Sequence, residues 1–176
     1  MRPGARAELN LSPQLEAYEQ EGIKMSQLGF DTGGGKKAIY QPPPDWKYSG
    51  GKDSLELLPG NALQAKATVT KWAPNPEISL EEEGRKALTG RMVAMLPEGS
   101  EAVKVQAETL SSLQIDGKPT YLVETTYTSY GSKFACYSLL LDRKPEPLFF
   151  RLICREADYE KLKEAFQRSL YSWQNL

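Results

Sequence analysis

At 176 residues the chain suits one domain of ordinary size, able to bury roughly 70% of its unfolded surface without disulfide or metal staples. Its 22 Lys and Arg balance 23 Asp and Glu, and a net charge of -1 gives no field to hold a polyanion, so nucleic acid is not an expected partner. The absence of His excludes Ser-His-Asp and Cys-His triads and, with only two Cys, the usual four-ligand zinc sites as well. No catalytic residue, metal ligand or cofactor is therefore expected.

No run approaches the roughly 18 apolar residues that a transmembrane helix needs, and no transmembrane segment is expected. At the amino end Ala5-Arg6-Ala7 precedes Glu8-Leu9-Asn10, a small-x-small pattern of the kind signal peptidase cleaves. It predicts a bacterial protein exported to the periplasm or secreted, with the cytoplasm as the alternative.

Ser12-Pro13 resembles a helix start, and Leu11, Leu15, Tyr18, Met25 and Leu28 fall near one helical face, with Gly22 interrupting them. A short helix is predicted there. Asp31-Thr32-Gly33-Gly34-Gly35 follows as a flexible linker, which divides the chain into an extension over 1–35 and a main domain over 36–176. Its Gly-Gly-Gly-Lys-Lys sequence lacks the spacing and hydroxyl of a phosphate-binding loop.

Lys37 to Tyr40 reads as a short strand stopped by Pro42-Pro43-Pro44, and Ser49-Gly50-Gly51-Lys52 turns the chain into Leu55 to Leu58. From Ala62 to Trp72 apolar and polar residues alternate as in a half-buried strand. Ser79-Leu80-Glu81-Glu82 supplies a capping box, and a helix is predicted from there to about Leu96.

Val103, Val105 and Ala107 alternate with Lys104 and Gln106, and a strand is read on toward Ile115. Asp116-Gly117 is the strongest hairpin signal, because both residues tolerate positive φ. Strands follow over Thr120 to Thr128, Phe134 to Leu141 and Leu148 to Cys154. In the last two, both parities are apolar, which requires cover on both faces of the sheet. The closing helix supplies one cover through Tyr159, Leu162, Phe166, Leu170 and Trp173, and the helix from Leu80 supplies the other.

This order of elements, with the start Tyr40-Gln41-Pro42-Pro43-Pro44-Asp45-Trp46 and the closing Ser169-Leu170-Tyr171-Ser172-Trp173, resembles the PsbP-like superfamily. That group includes extrinsic proteins of photosystem II and the Ran-binding factor Mog. The resemblance spans about residues 36 to 175. It implies an α+β class, an α/β/α layered sandwich around a mainly antiparallel sheet, and a protein-binding role with an unidentified protein partner. No functional residue transfers with it.

Tyr40, Trp46, Tyr48 and Trp72 are candidate partner-binding residues, since aromatics anchor protein interfaces; the alternative is that they lie in the core. Tyr127, Ser129 and Tyr130 end a strand before Gly131 and form a hydroxyl-rich rim. Glu124 with Asp116 or Glu108 is a candidate carboxylate pair for acid/base work, and no spacing brings two of them together. Cys136 and Cys154 stand opposite each other if their strands pair about Pro145, which makes them a candidate disulfide that fits an exported protein. The functional expectation is a non-catalytic exported interaction or scaffold domain. The alternatives are a carrier or sensor of a small apolar ligand under the helix starting at Leu80, and a carboxylate-based hydrolase.

Overall fold

The computed structural model describes residues 8–73, 76–144 and 146–176; the Ala5-Arg6-Ala7 motif and Pro145 lie outside them. The elements in chain order are β1 (Gln14–Gln20), β2 (Ile23–Gly33), β3 (Lys36–Tyr40), β4 (Lys47–Gly51), β5 (Ser54–Leu58), β6 (Lys66–Lys71) and α1 (Glu82–Ala94). They continue with β7 (Glu101–Ile115), β8 (Lys118–Ser129), β9 (Ser132–Leu141), β10 (Leu148–Arg155), one 3-10 turn (Glu156–Asp158), α2 (Tyr159–Leu170) and β11 (Gln174–Asn175). A seven-stranded sheet has the order β4-β5-β6-β10-β9-β8-β7, and a four-stranded sheet the order β1-β2-β3-β11. The pairings are antiparallel. The class is α+β, as expected.

The dry central strands explain the layering. Leu139, Leu141, Phe150 and Leu152 share one core with Leu162, Phe166, Leu170 and Trp173 from the α2 region. On the opposite face Leu140, Phe149, Tyr121 and Val123 pack against Leu88 and Met92 of α1. Asp116-Gly117 forms the expected turn, at φ values of 53° and 72°.

The expected helix between Leu11 and Leu28 is instead the β1–β2 hairpin, in which Gln20 pairs with Ile23 across Glu21-Gly22. Those turn residues have φ values of 52° and 80°, a geometry that a right-handed helix cannot contain and a two-residue hairpin requires. Gly34-Gly35, expected as a flexible linker, is a second tight turn, and it joins β2 to β3. The boundary drawn at residue 35 thus falls inside a hairpin. Leu9, Leu11, Leu28 and Phe30 are buried in the main core, and Phe30 stacks on Trp173 at 5.3 Å between ring centroids.

The expected capping box does not form, because α1 begins at Glu82, later than the motif implies. The Ser79 hydroxyl instead accepts a hydrogen bond from the Glu81 N–H at 3.4 Å. Gly84 has a steric reason: a Cβ there would lie 2.3 Å from the Ser79 carbonyl oxygen.

The cysteine expectation fails by one residue of register. Cys136 stands opposite Ile153 and Cys154 opposite Ala135. Since side chains alternate faces, a slip of one residue sends the two thiols to opposite sides of the sheet. Cys136 packs with Tyr127 and Phe134, whereas Cys154 lies in the main core. Both are buried free thiols.

Candidate functional site

The four aromatic candidates are not gathered into one surface. Tyr40 is fully buried, its hydroxyl 2.7 Å from the Ser169 Oγ, and burial raises the phenol pKa. Trp72 is buried edge-on against Phe149 at 5.1 Å, with the Arg91 guanidinium 4.2 Å from its ring centre. These two residues belong to the core and present no anchor. Trp46 is half-buried, stacked on Phe166 at 6.2 Å, and borders a cavity of about 240 Å³ with Pro43, Pro44 and Leu162. Tyr48 is 39% exposed on the edge strand β4.

The carboxylate pairings do not assemble either. Glu108 stands opposite Val123, a residue of the α1-facing core, while Glu124 meets residues of α2. Asp116 accepts a hydrogen bond from the Asn175 side chain at 2.9 Å, at the hairpin turn. Beneath α1, the expected place for a small apolar ligand, Ile78, Leu80, Leu88, Met92, Trp72 and Phe149 pack against one another.

The structure assembles a different site. α2 packs on β10 and leaves uncovered the neighbouring ends of β7 and β8. Glu124, Thr126 and Thr128 alternate with the α1-facing residues of β8 and so point to the α2 side, where Lys133 and Ala135 stand opposite Thr128 and Thr126. On β7 the pairing is irregular between Glu101 and Lys104 and again between Val105 and Ala107, and Gln106 Nε2 donates to Thr126 Oγ1 at 2.9 Å. Lys104 and Gln106 of β7 and the residues just named on β8 and β9 line, with Glu156, Tyr159, Glu160 and Lys163, an open groove of about 720 Å³.

At the base of the groove the Tyr159 hydroxyl donates to Glu124 Oε1 at 2.5 Å, and Lys163 Nζ lies 2.6 Å from the same oxygen. The Glu124 and Lys163 side chains are only 16% and 24% exposed. Burial, reinforced by donation to Glu124, pushes the Tyr159 phenol far above its ordinary range. Tyr137, directly opposite Glu124, is raised by burial and then by the Glu124 charge. The cluster therefore holds both phenols protonated, with the Glu124 carboxylate accepting from Tyr159 while the Tyr137 hydroxyl is buried without a hydrogen-bond partner. It ties α2 to the sheet and does not present a free base.

The groove walls carry the unspent charge. Among the described residues Lys104 and Lys133 on the strands make no ion pair, nor do Glu156 and Glu160 at the start of the helical wall. Of the hydroxyl-rich rim, Tyr127 borders the groove with its ring stacked on Phe134 at 5.5 Å, and burial lifts its phenol to about 12. Tyr130 is wholly exposed. Sequence reasoning missed the Glu124–Tyr159–Lys163 cluster. Its signal was a lone carboxylate at a core-facing position of β8, matched by a Tyr and a Lys four residues apart on the closing helix.

No protein-family model matches the chain, and no curated protein matches it. Among solved structures it is similar to cyanobacterial PsbP (CyanoP) from Synechocystis sp. PCC 6803, with a TM-score of 0.58 and 13% identity over 99% of this chain and 96% of that one. It is similar also to a point mutant of protein Mog1, with a TM-score of 0.54 and 8% identity over 92% and 95% of the two chains. Protein PA94 of Pseudomonas aeruginosa, of unknown function, gives a TM-score of 0.48 and 12% identity over 90% and 94%. The fold is thus PsbP/Mog1-like, and at these identities the likeness is one of fold. No helix among the described residues is long and apolar enough to cross a membrane.

Proposed function

We propose that this chain is a non-catalytic protein-binding domain, exported from the cytoplasm, whose docking site is the groove between α2 and the β7–β9 end of the large sheet. The observation that carries this reading is a groove with unpaired charge of both signs: Lys104 and Lys133 on the strands and Glu156 and Glu160 on the helical side line about 720 Å³ of open space, and among the described residues none of the four makes an ion pair. Such an arrangement leaves charges for a partner to meet and gives orientation and specificity to the encounter. The neutralised Glu124–Lys163 pair and the protonated Tyr159 leave the groove without an activated nucleophile or base, which favours binding over hydrolysis. Export rests on Ala5-Arg6-Ala7 alone, since the cysteines do not form a bridge.

A photo-crosslinking residue in place of exposed Gln106, introduced in the source organism, tests the docking site. The expected result is one adduct of defined mass, lost in the variant Lys104→Glu/Lys133→Glu at unchanged thermal stability. A probe at Lys47, on the opposite edge strand, should give no such adduct. An adduct that survives the charge reversal, or that forms equally from Lys47, overturns the reading. Cell fractionation tests export, and recovery in the cytoplasm would overturn that part.

A further inference from the structure

Tyr130 occupies a position that a tyrosine is poorly suited to fill. It is the first residue of the two-residue turn between β8 and β9, at a φ of 49°, and Gly131 follows at 80°. Such turns select Asn-Gly or Asp-Gly, because a bulky L-residue in the left-handed region crowds its own carbonyl. The same chain uses the favoured pair at Asp116-Gly117 and places Glu21, also exposed, at the equivalent position of the β1–β2 turn, so the large aromatic side chain is what sets Tyr130 apart.

The ring recovers nothing for this conformation, being 101% exposed. A strained backbone carrying a bare aromatic has two local costs and no intramolecular return, a combination that points to function rather than folding. The scaffold beneath it is rigid. β8 and β9 pair without irregularity from Thr120–Leu141 to Ser129–Ser132, and β9 is buried on both faces from Phe134 to Leu141. A ring held this way loses little freedom on binding.

Its position supplies the partner's chemistry. Thr128 and Lys133, the second pair before the turn, line the end of the groove. Lys133 and Glu156 also line, with Ser132 and Arg155, a second recess of about 400 Å³. The turn therefore lies two positions from Lys133, which together with Glu156 lines both recesses, and Lys104 also lines the first. Glu101, opposite Thr128, marks the acidic side of this end.

We propose that Tyr130 anchors a protein partner at the groove, its ring entering an apolar pocket of that partner while the partner's acidic side chains meet Lys133 and Lys104. This inference rests on the groove's being a protein docking site. Tyrosine suits the role because it brings a large contact area with few rotatable bonds.

The test uses the Gln106 photo-crosslinking probe in the source organism with Tyr130→Asn as the second change. Asn tolerates the left-handed turn, so the melting temperature should be equal to or above that of the parent. The adduct yield should fall at least about ten-fold, as for truncation of an interface hot spot. Tyr130→Phe, which keeps the ring, should retain the adduct. An unchanged yield with Tyr130→Asn, alongside loss with Lys104→Glu/Lys133→Glu, would leave the groove standing and overturn the anchor. Retention in both variants would overturn both. A lowered melting temperature for Tyr130→Asn would assign the ring to the fold and overturn the anchor as well.

Discussion

Replacing Phe30 with Ala tests whether the amino-terminal hairpin is part of the core. Phe30 is almost fully buried and stacks on Trp173 at 5.3 Å with an interplanar angle of 17°. Removing the ring forfeits a burial contribution of about 1.5–3 kcal/mol and an aromatic pairing worth about 0.5–1.5 kcal/mol. The space left behind cannot collapse easily, because Trp173 is also held by Tyr40 at 5.6 Å and Phe150 at 5.7 Å. The expected loss is therefore about 3–5 kcal/mol, the usual range for Phe→Ala in a core. In a chain of this size that lowers the melting temperature by about 6–20 °C. Urea titrations followed by tryptophan fluorescence should show a lower midpoint at unchanged slope. A loss below about 1 kcal/mol would refute the reasoning, because it would mean that β2 is a loosely attached extension.

Lys163→Met should cost about 1–3 kcal/mol, since it leaves the Glu124 carboxylate half-satisfied in a largely desolvated setting. In a urea double-mutant cycle Glu124→Gln/Lys163→Met should cost less than the sum of the single changes, and strict additivity would show that the pair is not coupled. Alkylation under denaturing, non-reducing conditions should label both Cys136 and Cys154, while the native protein should react slowly because both thiols are buried; an intact-mass spectrum with no label would restore the disulfide. Burial pushes the Cys154 thiol and the Tyr127 phenol each to about 12, above their ordinary values of about 8.5 and 10. Between about pH 9 and 12 the unfolded chain therefore sheds protons that the native chain keeps, so urea midpoints should be highest below about pH 8 and fall as pH rises through that window. A flat profile to pH 11 would contradict the burial assigned to these groups.

Much of this fold was legible in the sequence because the signals were local and strong. Asp116-Gly117 dictates its hairpin, since few residue pairs accept positive φ at both positions. The closing helix announces its buried stripe at Leu162, Phe166, Leu170 and Trp173, and the apolar residues on both parities of β9 and β10 require two covers. The β1–β2 ribbon was not legible. Most of its length is wet on both faces, so no alternation marks it as strand, and Leu11, Leu15, Tyr18, Met25 and Leu28 fit a helical face equally well. Pairing of Gln20 with Ile23, and burial of Leu28 and Phe30 against Trp173, decide the matter in three dimensions.

Register is the other quantity that only tertiary structure settles. Centring the β9–β10 connection on Pro145 places Cys136 opposite Cys154, and a half-residue change of centre places Cys136 opposite Ile153, with the thiols on different faces. The local sequence of a six-residue connection does not choose between those centres, whereas the packing of Leu139, Phe150 and Leu152 against α2 does. The candidate site has the same origin. Glu124 and Tyr159 are 35 residues apart and become partners only because α2 folds back across the sheet. By itself the sequence determined the class, the two helices α1 and α2, the central strands and the residue types that could not be used for catalysis, but it misread the β1–β2 hairpin as a helix. The meeting of Glu124 with Tyr159 and Lys163, and the bare end of the sheet beside them, depend on long-range packing, which short-range pattern does not encode.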